Sequence, residues 1–150
     1  MAEPVDFGRL MKGVIPYLTC ESADDAIAFY EKAFGAIQHG PSSRDPAGKV
    51  LNATLEINEG IIMLVDHFPE MGGTPAAGGA GFMMQIVTHE GAAFWDRAIG
   101  AGCKIVSPFE PQFWGDTWGL LKDPFGVEWG VNQPSPANMA QAEAMKEGSS

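Results

Sequence analysis

The sequence predicts an α+β fold, with two tandem βαβββ modules forming a cup-shaped, curved mixed sheet and the helices outside. Three observations predict it. Residues 25–36 and 90–101 align without a gap; five of twelve positions are identical, and others are like-for-like exchanges such as Tyr30 with Trp95 and Lys32 with Arg97, so the chain is internally duplicated. In each copy the apolar residues recur at helical spacing, as Phe29, Tyr30, Ala33 and Phe34 in the first and Phe94, Trp95, Ala98 and Ile99 in the second. After each helix a turn signal separates two runs that alternate with period two, the pattern of a half-buried hairpin.

The first module spans residues 13–66 and opens with a strand over 14–19. Ser22 can cap the next helix, Asp24 and Asp25 favour its positive end, and Gly35 can take the left-handed conformation that closes it. A strand over 36–40 and a hairpin at Ile57-Asn58-Glu59-Gly60 complete the module. Read as a three-residue loop, this hairpin pairs Ile57 with Ile61 and Asn52 with Asp66. Ala53, Leu55, Ile57, Ile61, Met63 and Val65 then lie under the helix, and Asn52, Thr54, Glu56, Ile62, Leu64 and Asp66 form a mixed face. Residues 67–81, with their glycines and prolines, read as a mobile connector. Its Gly78-Gly79-Ala80-Gly81 run lacks the spacing and the Lys-Ser/Thr of a phosphate loop.

The second module, residues 82–132, repeats the plan. A strand over 82–87 leads to a helix that Thr88 can cap, with Glu90 at its positive end and Gly100 to close it, and a strand follows over 103–106. Asp123-Pro124-Phe125-Gly126 has the chemistry of a type I turn with a left-handed bulge residue. That turn sets Lys122 opposite Glu128, Leu120 opposite Gly130 and Trp118 opposite Asn132. Leu121, Val127, Trp129 and Val131 go under the helix, and the six residues just paired form the mixed face. Phe29 and Phe94 are expected as equivalent core residues, each wedged between helix and sheet. Residues 133–150 form a tail, helical around 137–146, whose Met139 and Met145 can dock on a neighbour.

Composition narrows the function. The 150-residue chain, 45% apolar and 19% charged, suits one globular domain. Nineteen acidic against nine basic residues give a net charge of −10, which repels phosphate backbones and anionic lipid. Nucleic acid and membrane are therefore not expected partners. The longest wholly apolar run, 61–65, is too short for a bilayer, and Glu3 and Asp6 stand where a signal peptide would be basic and then apolar; a soluble, cytoplasmic protein is expected. Cys20 and Cys103 form no CxxC pair and read as free, buried thiols.

Ile15-Pro16-Tyr17-Leu18, Ala26-Ile27-Ala28-Phe29-Tyr30 and Phe34-Gly35-Ala36 are followed by Phe113-Trp114-Gly115-Asp116, Gly119 and Lys122-Asp123-Pro124-Phe125-Gly126. This series resembles the PhnB-like branch of the vicinal oxygen chelate superfamily, which includes glyoxalases, bleomycin-resistance proteins and extradiol dioxygenases, over about residues 13–131. The resemblance implies paired βαβββ modules around a cup, a homodimer, and in the enzymes a divalent metal held by His, Glu or Gln from the first and last strands of each module. Carried over, the last-strand positions fall on Leu64 and Gly130 and the first-strand positions near 15–17 and 82–84, where no such residue stands. A divalent ion needs several N or O donors in one shell, so the usual metal is not expected.

The candidate ligand-binding residues are Trp118, Asp66, Glu128, Trp114, Asn52 and Tyr17. Trp118 on the mixed face offers a platform for a planar ligand, although the aromatic series Phe109, Phe113, Trp114 and Trp118 also fits core packing or a dimer contact. Glu128 either pairs with Lys122 or acts as a base or ligand, and Asp66 either ends its strand in water or binds. His39, His67 and His89 share no metal-ligand spacing, and no nucleophile motif is present, so no catalytic residue is assigned. Three functions stay open. One is a metal-free cup of the bleomycin-resistance type that binds a small aromatic molecule, neutral or cationic, with no cofactor. Another is a lyase, isomerase or dioxygenase with a divalent metal assembled from Glu56, Asp66, Glu128 and a histidine. The third is a structural dimerisation module.

Overall fold

In the computed structural model, which describes residues 7–71, 75 and 81–148, the duplication is carried by two units, Met1–Ala77 and Gly78–Ser150. The first holds α1 (Phe7–Leu10), β1 (Tyr17–Cys20), α2 (Ala23–Phe34), β2 (Ile37–Gln38), β3 (Ser43–Arg44), β4 (Val50–Ile57) and β5 (Gly60–Asp66). The second holds β6 (Met84–Val87), α3 (Gly91–Ala101), β7 (Lys104–Pro111), β8 (Thr117–Lys122), β9 (Glu128–Gln133) and α4 (Pro136–Gly148). The sheet orders are β1-β5-β4-β2, with β3 also on β4, and β6-β9-β8-β7. In each unit the first strand runs parallel to the last and the remaining pairs are antiparallel. This is a mixed α+β fold, as the sequence predicts.

The caps of α2 are those its sequence encodes. Ser22 has extended backbone and its Oγ accepts from the Asp25 N–H at 3.2 Å, while Gly35 closes the helix at φ 66°. The ends of α3 differ from expectation. Thr88 Oγ1 accepts from the Glu90 N–H, just ahead of the helix, and the first-turn Gly91 N–H is taken by Gln133 Oε1 at 3.0 Å. The helix runs through Gly100 and is closed by Gly102.

The residues wedged against the sheets are Tyr30 and Trp95, whereas Phe29 and Phe94 are only half-buried. Ala26, Ala33 and Ala98 are fully buried. These small residues let each helix approach its sheet along the line 26, 30, 33 or 91, 95, 98, which leaves positions 29 and 94 at the edge of the stripe. Under α3, Gly119 is required by close approach. A Cβ there would lie 2.6 Å from Trp95 Cη2 and 2.7 Å from the Phe109 Cα. Phe109 itself stacks on Trp95 at 5.5 Å.

The two hairpins decide which side chains face away from the helices. The second follows its turn chemistry: Gly126 has φ 91°, and the pairs are Lys122 with Glu128, Leu120 with Gly130 and Trp118 with Asn132. The first is one residue shorter than expected. Asn58 and Glu59 both have positive φ, 50° and 63°, so they form a two-residue turn of the mirror-image type that suits strand twist. Ile57 pairs with Gly60, Leu55 with Ile62 and Ala53 with Leu64. A one-residue slip turns every side chain of β5 over. Ile62, Leu64 and Asp66 therefore lie on the α2 side with Ala53 and Leu55, while Ile61, Met63 and Val65 join Asn52, Thr54 and Glu56 on the other face.

Strand β1 starts later than expected and β7 runs further, with two bulges. The tail is helical as α4, and none of the residues of that helix is buried. In the connector, Pro69–Met71 forms a 3-10 turn, and Gly78, Gly79 and Ala80 lie outside the described residues. Among the described residues no helix is long and apolar enough to cross a membrane.

Candidate functional site

Each sheet has a face turned away from its own helix. In the second unit that face carries Trp118, Leu120 and Lys122 from β8, Glu128, Gly130 and Asn132 from β9, and Gln85 and Val87 from β6. Gly130 stands between Leu120 and Gln85 in register, and the Trp118 Nε1–H donates to Gln85 Oε1 at 3.1 Å. A Cβ on Gly130 would lie 2.9 Å from Trp118 Nε1, 3.0 Å from Gln85 Oε1 and 3.4 Å from Met83 Sδ. The glycine is thus the floor on which an indole and an amide meet. Trp114 meets Trp118 edge-on at 6.3 Å, and Phe113 packs on Trp114 at 5.0 Å while being almost wholly exposed. The aromatic series therefore divides: half-buried Phe109 stacks on Trp95 on the α3 side, and the other three form a contact chain that begins at Trp118 on the opposite face.

Gln85 is a site residue that the sequence pattern alone does not single out. Its alternation with buried Met84 and Ile86 is the signal that finds it, but the first-strand ligand window falls at 82–84, one residue short. Glu128 and Lys122 are opposite in register, yet among the described residues no ion pair joins them. Asp116 stands in the sequence only as the last residue of the Phe-Trp-Gly-Asp motif. Its Oδ2 accepts from Asn132 Nδ2 at 3.0 Å, and its Oδ1 accepts from the Ser135 N–H at 2.8 Å and Asn138 Nδ2 at 2.6 Å. The Asn132 amide foremost, then the Ser135 and Asn138 donors, hold its carboxyl below the usual carboxylate range. Asp116 thus ties the aromatic loop to the end of β9 and the start of α4.

In the first unit the face away from α2 carries Tyr17 and Thr19 from β1, Met63 and Val65 from β5, and Asn52, Thr54 and Glu56 from β4. Tyr17 Oη donates to the Leu51 carbonyl at 3.2 Å and accepts from Asn52 Nδ2 at 2.8 Å, so these two predicted site residues are adjacent. Glu56 is buried, with Oε1 2.7 Å from His39 Nε2. Asp66 is on the opposite side. Its Oδ1 accepts from the Ala23 N–H at 2.7 Å and its Oδ2 from the Val50 N–H at 2.6 Å. It does for α2 what Gln133 does for α3, capping a helix from the end of the module's last strand. The mixed-face placement of Asp66 is corrected by the register.

Two other groups are structural. Asp123 Oδ1 accepts from the Phe125 and Val127 N–H groups at 2.9 and 3.0 Å, and its Oδ2 from Trp129 Nε1 at 2.9 Å, which locks the second hairpin. Burial, aided by the Asp123 charge, pushes the Cys103 thiol up to about 12; neither cysteine forms a disulfide, and Cys20, expected to be buried, is half-buried. The donor set does not suit a hard divalent ion. Among the described residues no three of His, Cys, Asp and Glu come together. Gly130 is roofed by Trp118 and Gln85, and the β5 positions on the face away from α2 are Ile61, Met63 and Val65, which offer no N or O donor.

A protein of Micromonospora sp. ML1, TioX, has a solved structure that superposes with TM-score 0.62 at 22% identity, covering 83% of this chain and 97% of that one. A PhnB protein of Bacillus cereus, described as a putative 3-demethylubiquinone-9 3-methyltransferase, gives TM-score 0.65 at 19% identity, covering 82% and 100%. Both show a shared fold. An uncharacterised protein of Mycobacterium bovis is 38% identical over 135 residues, which is 86% of this chain and 88% of that protein. The family described as Glyoxalase/Bleomycin resistance protein/Dioxygenase superfamily matches residues 10–131, all of both sheets but the end of β9. By that match and the paired βαβββ units, the chain belongs to the glyoxalase/bleomycin resistance/dioxygenase superfamily.

Proposed function

We propose that this chain binds a small aromatic molecule, neutral or cationic, on the open faces of its sheets, without the divalent metal of the superfamily's enzymes. The observation that carries the reading is the Trp118–Gln85 hydrogen bond over Gly130. The position that would supply a ligand atom by family resemblance instead supports a fixed indole. Gln85 commits its carbonyl to that indole, so its amide N–H groups are left to meet a ligand acceptor. Trp118 supplies the stacking surface and Trp114 an edge, an arrangement worth about 0.5–1.5 kcal/mol beyond area burial. Glu128 on this face and a chain charge of −10 favour a cation over an anion. Tyr17 and Asn52 serve the first unit's face, while Asp66 holds α2. The reading includes a homodimer, a cytoplasmic setting and no nucleic-acid partner.

The test is a tryptophan-fluorescence screen of cationic, neutral and anionic aromatic compounds, repeated on Trp118→Phe and Glu128→Gln. Cationic and neutral compounds should bind best, with weaker binding in Trp118→Phe and a smaller preference for cations in Glu128→Gln. Tight binding by carboxylates or phosphates alone, indifferent to both substitutions, would overturn it.

A further inference from the structure

Among the described residues six carboxylates, Asp24, Asp45, Glu56, Asp66, Asp116 and Asp123, are held by hydrogen bonds within their own unit, and Glu56 is the buried one with a single engaged oxygen. Asp66, Asp116 and Asp123 each engage both oxygens with N–H donors. Glu56, at 6% exposed, is more buried than Asp66 or Asp116, but only Oε1 is engaged, by His39 Nε2 at 2.7 Å. Among the described residues no buried side-chain oxygen lacks a partner, so the unbonded Oε2 keeps a small contact with solvent although the residue is buried. A carboxylate withdrawn from water costs several kcal/mol unless its lone pairs are met. Glu56 is not satisfied in the way those three aspartates are.

The surroundings of Glu56 favour one kind of partner. Its neighbours in register are Ile61 on β5 and Ile37 on β2, both apolar, with Ile37 largely exposed. No Lys or Arg among the described residues pairs with it, and with only His39 beside it there are too few donors for a metal ion. His39 fixes the carboxylate from one side, and its own backbone N–H is held by the Thr54 carbonyl at 2.9 Å. We propose that Glu56 Oε2 anchors a ligand's N–H donor, specifically a primary ammonium or amidinium carried on an apolar body, with His39 as the positioning residue. Ile37 and Ile61 take the hydrocarbon next to the charged group, where the low local dielectric strengthens the contact. The proposal rests on reading the open faces as binding surfaces, but it depends on neither Trp118 nor any residue of the second unit.

Phenethylammonium and phenethyl alcohol, which differ in the head group alone, are titrated into the full chain by calorimetry while the His39 imidazole is followed by nitrogen NMR. The ammonium should bind about tenfold more tightly than the alcohol, as expected for a charge-assisted hydrogen bond, and should shift the His39 signals. Glu56→Gln, which keeps the shape, should bring the ratio to about one, and Glu56→Asp should give an intermediate ratio. A ratio that survives Glu56→Gln, or ammonium binding at millimolar concentration that leaves His39 unmoved, overturns the proposal. Trp118→Phe separates the anchor from the stacking platform. If that substitution changes nothing while Glu56→Gln erases the preference, the platform fails and the ammonium anchor stands. If Trp118→Phe weakens binding while Glu56→Gln leaves the preference intact, the anchor fails and the platform stands.

Discussion

Replacing Gly130 by alanine would place a methyl group 2.9 Å from Trp118 Nε1 and 3.0 Å from Gln85 Oε1, against both ends of the hydrogen bond that joins them. Both distances are below ordinary contact, so the indole and the amide must separate. The lost hydrogen bond costs about 0.5–1.5 kcal/mol. Displacing the two side chains adds about 1 kcal/mol, the low end for overpacking, because both are partly exposed and can rotate away. Removing a glycine from the unfolded chain returns about 0.4–1 kcal/mol. The net expectation is a destabilisation of about 1 kcal/mol, read in urea melts as a lower midpoint at unchanged slope. The decisive arm is the same substitution in a Trp118→Phe background. Phenylalanine has no indole nitrogen to collide with the new methyl, so the cost of Gly130→Ala should fall by about 1 kcal/mol, a coupling of the size seen between touching residues. An identical cost in both backgrounds would refute the idea that Gly130 exists to admit this contact.

Asp123→Asn keeps one acceptor oxygen but turns an amide toward Trp129 Nε1, setting donor against donor in a buried place; urea melts should show a loss of about 2–3 kcal/mol. Asp116 has a depressed folded-state pKa, so its contribution is present above its unfolded value and is lost as pH falls through the folded value, below the usual carboxylate range. The protection of the Ser135 backbone N–H, taken relative to its intrinsic exchange rate at each pH, should fall on acidification in that window, and Asp116→Asn should remove that fall. Cys103, with its thiol pushed up to about 12, should resist iodoacetamide at pH about 8 in the native protein and react once unfolded in urea; rapid native labelling of Cys103 would contradict its burial.

The elements that could be read from the sequence are those whose determinants are local. Ser22 and Gly35 bracket α2, and Asp123, Pro124 and Gly126 fix the second hairpin to the residue, because a cap or a turn type is chosen by side chains a few positions apart. The first hairpin misleads because Gly60 resembles a bulge residue, while the turn is made by Asn58 and Glu59. A glutamate at positive φ carries no sequence signal. That single residue of register moves Asp66 from an expected binding face to a helix cap. Trp118 lies on the face turned away from α3 as expected, since period two survives wherever the register does. Asp116 and the pairing of Glu56 with His39 were not legible as such. Their partners lie 16 to 22 residues away for Asp116 and 17 for Glu56, and only the folded sheet brings them within reach.

The central claim is that an aromatic ligand binds without a divalent metal. The measurement that tests it most directly is a fluorescence titration with phenethylammonium on protein analysed for Ni, Zn, Fe and Mn, run with EDTA and again with each ion restored. One affinity is expected under all these conditions, lowered by Trp118→Phe. Binding that appears only with a restored ion, together with about one ion per chain that is lost on Glu128→Gln, would contradict it.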